Sequence, residues 1–271
     1  MNLKRSLIAA GIALTALVAT AAAPVATHGS HHGREKPTVV LVHGAFADGS
    51  SWNGVIDDLQ RKGYPVIAPA NPLRGLQDDA EYLSSVLDSI DGPIVLAGHS
   101  YGGSVITEAA AGDKDVKALV YIASFQLDVG ESTAELAAKF PGGELGPALD
   151  AVPFPAADGT IGTDLYVKQG EFRRVFAADV PSRTTTLLAA TQRPIAESAL
   201  NDTATRAAWK TIPSWSLITT QDLTIPAKSM RFMSERARSH TTEIKASHAV
   251  AVSKPQAVVK MIDNAARATT R

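Results

Sequence analysis

Apolar residues along this chain fall into two alternating patterns: short unbroken runs, and longer stretches spaced every three or four positions. Thr38-Val39-Val40-Leu41-Val42, Pro65-Val66-Ile67-Ala68, Pro93-Ile94-Val95-Leu96-Ala97 and Ala118-Leu119-Val120-Tyr121-Ile122-Ala123 are the runs, and Ser214 to Thr219 reads as a further strand. A β-branched stretch that is apolar on both faces reads as a strand covered from both sides. Between the runs, 55–61 has helical spacing and stops at Gly63. Residues 78–90 place Ala80, Leu83, Val86, Leu87 and Ile90 on one stripe before Asp91-Gly92 ends it. A helix over about 227–237, a strand over 241–246 and a last helix from Lys254 to about Arg267 complete the series. Buried strands alternating with amphipathic helices predict an α/β fold, with a doubly wound, mostly parallel sheet.

The alternation lapses from about 128 to 206. Helical patterns at 132–139, 171–177 and 184–190 are separated by Pro141-Gly142-Gly143, Pro153-Phe154-Pro155 and Asp158-Gly159, with no buried run among them. The strands before and after this stretch need each other to complete one sheet. It therefore reads as a helical cap inserted into a single domain over 37–271.

The N-terminal pattern is different. Lys4 and Arg5 precede the uncharged apolar stretch 6–20 and then Ala21, Ala22 and Ala23, the layout of a signal peptide. We expect it to span 1–26, with cleavage after Ala22 or Ala26, and 27–36 to be a flexible linker. The linker histidines, His28, His31 and His32, fit a solvated spacer better than a metal site. The expected product is secreted or extracytoplasmic, with no membrane association after the leader is removed. The 271 residues include no cysteine, so disulfides and a lipidated cysteine are both excluded. A formal net charge of −1 leaves no electrostatic footprint for nucleic acid or an anionic membrane.

The candidate chemistry begins at Gly98-His99-Ser100-Tyr101-Gly102, directly after the run 93–97 and before Gly103-Ser104-Val105-Ile106. A buried strand ending in G-x-S-x-G and leading into a small-residue helix start is the nucleophile-elbow pattern, which presents the serine hydroxyl above the sheet. Acyl transfer by serine needs a base to take the hydroxyl proton and an acid to orient that base. In a doubly wound sheet such side chains gather beyond the carboxyl ends of the strands. Asp222 lies just past the strand 214–219 and His248 just past 241–246, giving the chain order Ser, Asp, His. Asp128 also follows a strand and is the alternative acid, although it opens the cap. Among other histidines, His43 and His99 lie inside other motifs, and His240 precedes its strand. His43-Gly44-Ala45-Phe46 follows the first run and suits an oxyanion loop, with His43 holding the loop. The two amide donors expected are those of Tyr101 and Ala45, with Phe46 the neighbour from which Ala45 has to be distinguished.

On these motifs the stretch Pro37–Ala266 resembles the α/β-hydrolase family. Within it, the segment 43–52, Gly98-His99-Ser100-Tyr101-Gly102-Gly103 and Asp222-Leu223-Thr224-Ile225-Pro226 are similar to the branch of methyl-salicylate-type esterases and hydroxynitrile lyases. The resemblance implies a cofactor-free, metal-free serine hydrolase, a carboxylesterase acting on small neutral esters or lactones through an acyl-enzyme. The lyases of this branch carry a threonine in the early loop and a lysine right after the catalytic histidine, where this chain has Gly44 and Ala249. A departing cyanide anion benefits from a cation that Ala249 does not supply. A third class, a ligand-binding sensor on a hydrolase shell, is opposed by the intact set Ser100, Asp222 and His248. Phe125, Phe140, Phe154, Tyr166, Phe172, Phe176 and Trp209 lie in or beside the cap and are the candidates for a pocket wall.

Overall fold

Four of the predicted strands form the inner strands of one sheet, and the run 65–68 forms an edge strand in which Ile67 is exposed. The structure, a computed structural model, describes residues 36–156 and 159–269, so the expected leader and residues 27–35 of the linker lie outside the described residues. In chain order the elements are β1 (Thr38–Val42), α1 (Asn53–Arg61), β2 (Val66–Ile67), α2 (Leu76–Leu87), β3 (Ile94–His99), α3 (Tyr101–Ala109) and β4 (Val116–Ile122). The inserted stretch holds α4 (Thr133–Ala138), β5 (Leu149–Pro155), β6 (Ile161–Val167), α5 (Gln169–Val175), α6 (Ser182–Thr191), β7 (Ile195–Ala196) and α7 (Glu197–Asn201). The sheet then resumes with β8 (Ser214–Thr219), α8 (Ala227–Arg236), β9 (His240–Ile244), α9 (Val250–Ser253) and α10 (Pro255–Thr269).

The sheet order is β2-β1-β3-β4-β8-β9, and every pair is parallel. Val39, Val40, Leu41, Ile94, Val95, Leu96 and Ala97 are fully buried, as a strand covered on both faces requires. Each large aliphatic side chain among them contributes roughly 1.5–3 kcal/mol by leaving water. Helix α10 packs on β3, β4 and β8 with α1 beside it, α3 packs on β1 and β3 with α2 beside it, and α8 packs on β8. The register aligns the strand ends, with Val42 opposite Gly98, His99 opposite Ile122, and Ile122 opposite Leu217. Loops leaving those ends therefore emerge along one edge. Among the described residues no helix is long and apolar enough to cross a membrane.

Two expectations need correction. The inserted stretch carries the expected helices, but it also holds an antiparallel sheet of order β5-β6-β7. Its outer strand β5 is mostly exposed and contains Pro153 and Pro155, which read as breakers in the sequence. An edge strand tolerates proline because its free side needs no N–H donor, and an exposed hairpin has no apolar run to announce it. The last strand is His240–Ile244, not 241–246, and it is an exposed edge strand. Here His240 stacks on Trp215, with ring centroids 4.9 Å apart.

Candidate active site

Ser100 stands where β3 turns into α3, with backbone angles of φ +54° and ψ −125°. A left-handed conformation of this kind costs a non-glycine residue roughly 1–3 kcal/mol, so the surroundings must enforce it. The Ser100 carbonyl accepts from the Gly103 N–H at 2.9 Å, the Ser124 hydroxyl at 2.7 Å and the Phe125 N–H at 3.4 Å. Close approach does the rest, since a Cβ on residue 102 would lie 2.5 Å from the Val42 carbonyl oxygen. The nine-residue helix α3 starts at Tyr101, so its partially positive end faces the same edge of the sheet.

The early loop closes against this elbow. A Cβ on residue 44 would lie 2.7 Å from Ser100 Cβ and 3.2 Å from the Tyr101 nitrogen, so only glycine leaves that amide open. His43 donates from Nδ1 to the Gly44 carbonyl at 2.9 Å, and its Nε2 accepts the Asn71 N–H at 2.9 Å. Both ring nitrogens are thereby engaged in holding the loop, and burial keeps the imidazole pKa below its ordinary value. The Phe46 amide donates to the Arg193 carbonyl at 3.0 Å. The amides of Ala45 and Tyr101 make no hydrogen bond among the described residues. That difference separates Ala45 from Phe46.

Asp222 and His248 meet across the loops that follow β8 and β9. His248 Nδ1 donates to Asp222 Oδ2 at 2.8 Å, with both side chains fully buried. The same oxygen accepts the Thr219 hydroxyl at 2.7 Å, and Oδ1 accepts the amides of Thr224 at 2.8 Å and Ile225 at 2.9 Å. Four donors satisfy the buried carboxylate and fix its plane. His248 Nε2 is buried with no hydrogen-bond partner among the described residues. Asp128, the alternative acid, pairs instead with Lys210 at 2.5 Å and accepts the Val129 amide at 2.7 Å.

His99 joins the elbow to the base. It donates from Nε2 to the His248 carbonyl at 2.9 Å, and the two rings lie 4.7 Å apart. Burial, then the nearby His248, push its pKa down to about 3. It remains a neutral donor at any ordinary pH.

Of the seven aromatic residues expected near a pocket, Phe172 and Phe176 line an apolar crevice beside His99, with Phe46, Leu188, Ala249 and Val252. The crevice has a volume of about 20 Å³, enough for about one water molecule. The others have structural tasks or lie elsewhere. Phe140 packs on Phe232, Phe154 lies under Arg74, Tyr166 faces an outer groove of the cap, and the Trp209 indole donates to the Leu127 carbonyl. Phe125 is buried in the core. The supporting hydroxyls of Ser124, Thr219 and Thr224 were not singled out from the sequence. An isolated hydroxyl in a loop has no spacing signal.

A strained serine elbow, an acid–histidine pair and two open amides on one edge of a parallel sheet define a class, and sequence comparison agrees. Residues 39–261 match the family model described as Alpha/beta hydrolase family, and the chain belongs to that family. It is 27% identical over 253 residues to the alpha/beta hydrolase nvfD of Aspergillus novofumigatus, covering 85% of this chain and 97% of the relative. It is 32% identical over 135 residues to a carbendazim hydrolyzing esterase of a Nocardioides species, covering 41% of this chain and 55% of that one. Among solved structures, polyneuridine aldehyde esterase superposes with a TM-score of 0.73 at 18% identity, covering 85% of this chain and 99% of the other. An extracellular alpha/beta-hydrolase from a Paenibacillus species gives 0.69 at 20% identity, with 85% and 99% covered. At those identities the superpositions speak for the fold.

Proposed function

We propose that this protein is a serine carboxylesterase that cleaves small neutral esters or lactones through an acyl-enzyme. The observation that carries the reading is His248, whose Nδ1 is held by a fully satisfied Asp222 while its buried Nε2 has no partner among the described residues. That nitrogen makes no hydrogen bond to Ser100 Oγ in the structure, so in the proposed reaction the Ser100 hydroxyl turns to it before the proton moves. Ser100 Oγ attacks the ester carbonyl carbon, and His248 Nε2 takes the hydroxyl proton. Asp222 stabilises the resulting imidazolium. The amides of Ala45 and Tyr101 receive the developing oxyanion, with the N-terminal end of α3 adding favourable potential. Collapse of the tetrahedral intermediate breaks the bond to the alkoxy oxygen, which takes the proton from His248. Water then gives a proton to His248 and attacks the acyl carbon; the bond to Ser100 Oγ breaks, that oxygen takes the proton from His248, and the carboxylic acid leaves and ionises in solvent.

The esterase names of several relatives and fold neighbours support ester chemistry. The apolar lining beside His99 and the lack of a cationic residue at Ala249 favour a neutral substrate over cyanide release. The leader-like pattern in 1–26 supports export of the enzyme. A fluorophosphonate probe together with p-nitrophenyl acetate hydrolysis tests the proposal. The expected result is labelling at Ser100 and turnover that disappears in Ser100→Ala. A native protein that is neither labelled nor active would instead favour a binding role on a hydrolase shell.

A further inference from the structure

The loop that carries the base is held by the cap. The main-chain pairing between the β8 and β9 segments ends at the Gln221 amide, which donates to the Ala246 carbonyl at 3.1 Å. Beyond that point Ser247, His248 and Ala249 have no sheet partner; His99 and Asp222 hold His248 itself, and its two neighbours are tied to the end of α5 and the residues just after it. The Ser247 hydroxyl donates to Asp179, and the Ala249 amide donates to the Phe176 carbonyl at 2.9 Å. The Phe176 ring lies against the His248 ring, 4.8 Å between centroids and nearly perpendicular. The residue on each side of the base is therefore bonded to the same short piece of cap.

That piece also holds the loop of the acid. Thr224, whose amide binds Asp222 Oδ1, donates its hydroxyl to the Val175 carbonyl at 2.9 Å. A second cap residue, Glu144, donates its amide to the Leu223 carbonyl at 2.7 Å. Acid and base lie on separate loops, yet both loops are tied to Val175–Asp179. A carbonyl at a helix C-terminus has no partner within the helix, so the end of α5 offers acceptors that the two loops use.

We propose that Val175–Asp179 is the positioning element of the triad, acting on Asp222 through Thr224 and on His248 through Ser247 and Ala249. This rests on the esterase reading above and adds to it a role for the cap beyond covering the pocket. Thr224, Ser247 and Asp179 are positioning residues, because each acts through another group. A misplacement of about 1 Å is enough to cost about a hundredfold in rate, so a cap that shifts would weaken the base without touching it.

The test uses four variants of the full chain with p-nitrophenyl acetate. Thr224→Val and Ser247→Ala remove the hydroxyls, while Thr224→Ser and Ser247→Thr keep them. The first pair should lose about tenfold or more in kcat with KM within about twofold, and the second pair should stay within about threefold of wild type. The acidic limb of kcat/KM should move to lower pH in the first pair, because loosening either loop weakens the Asp222–His248 bond that stabilises the imidazolium. The charged or titratable groups facing His248 are Asp222 and the neutral His99, with Asp179 behind Ser247. A general loss of stability would not move that limb. Unchanged kcat in both hydroxyl-free variants, an unmoved limb, or equal losses in the hydroxyl-keeping pair would overturn the proposal. If the buried Thr224→Val fails to fold, Ser247→Ala decides the matter alone, since its partner Asp179 is exposed. Wild-type labelling by the fluorophosphonate separates the two readings. Labelled protein with indifferent variants removes only the cap's role, whereas unlabelled protein removes the esterase reading and this inference with it.

Discussion

The phenol of Tyr101 donates to Asp79 Oδ2 at 2.8 Å, and both side chains are buried. Tyr101 is the residue after the proposed nucleophile, so this bond ties the amide proposed to receive the oxyanion to the first turn of α2. The other oxygen of Asp79 accepts the Arg74 amide at 3.1 Å, and burial holds its carboxyl above the usual range. Tyr101→Phe leaves a buried carboxylate short of one donor, which costs about 1–3 kcal/mol of stability. The expected kinetic signature is a fall in kcat larger than the rise in KM, measured beside urea unfolding. A variant with wild-type stability and rate would show that the bond does not hold the amide.

The pH dependence of stability should carry the mark of His99. Its folded pKa is about 3 against an ordinary 6.5, so the unfolded chain binds a proton that the folded protein refuses between those values. The neutral ring's contribution is complete above about 6.5 and is lost as pH falls towards 3, with a slope of about 1.4 kcal/mol per pH unit for one proton. His43 is shifted in the same direction and adds to the slope. Glutamine at position 99 keeps an N–H donor for the His248 carbonyl and removes the proton. Urea unfolding of His99→Gln between pH 4 and 7 should give a slope shallower by about one proton; parallel curves would contradict the assignment.

The acid is tested by paired amides. Asp222→Asn keeps the packing but favours the wrong tautomer of His248, and kcat should fall by about 10⁴. Asp128→Asn removes only one side of an exposed pair with Lys210, and turnover should stay near wild type. The reverse order would move the acid to the start of the cap.

Gly44→Ala tests the closeness of the early loop to the elbow. Its methyl would lie 2.7 Å from both Ser100 Cβ and the His99 carbonyl oxygen, so the loop must retreat. Removing one oxyanion donor typically costs about 10²–10³ in kcat, and a loss of that size is expected with the protein still folded by circular dichroism. Full activity would mean that the loop is further from Ser100 than the geometry places it.

The narrow crevice predicts acyl-chain preference. The crevice of about 20 Å³ between Phe46, Phe172, Phe176 and Leu188 borders His99 and must widen to take any acyl group, so acetate and propionate esters, which demand the least widening, should outpace octanoate. Leu188→Ala should shift the optimum towards longer chains on a p-nitrophenyl ester series. A wild-type optimum at long chains with activation at an oil–water interface would make the enzyme a lipase.

Residues that act through local pattern were legible in the chain itself. The runs at 38–42, 94–97 and 118–122 are strands because a doubly covered sheet favours apolar side chains, while 214–219 buries Ser214, Ser216 and Thr219 among its apolar residues. The elbow was legible because small residues are demanded at fixed offsets from Ser100. The order of Ser100, Asp222 and His248 followed from their positions after successive strands. What the sequence could not decide depends on contacts between distant segments. The β5–β6 hairpin is exposed and edge-like, so no apolar run marks it, and its prolines are tolerated only because of where β5 lies in its sheet. Asp222 is distinguished from Asp128 by one 2.8 Å bond to His248, and Ala45 from Phe46 by the bond that Arg193 makes to the Phe46 amide. Thr224, Ser247 and Asp179 carry no spacing signal at all. Their roles exist only once the chain folds and brings the end of α5 against two loops that sequence distance keeps apart.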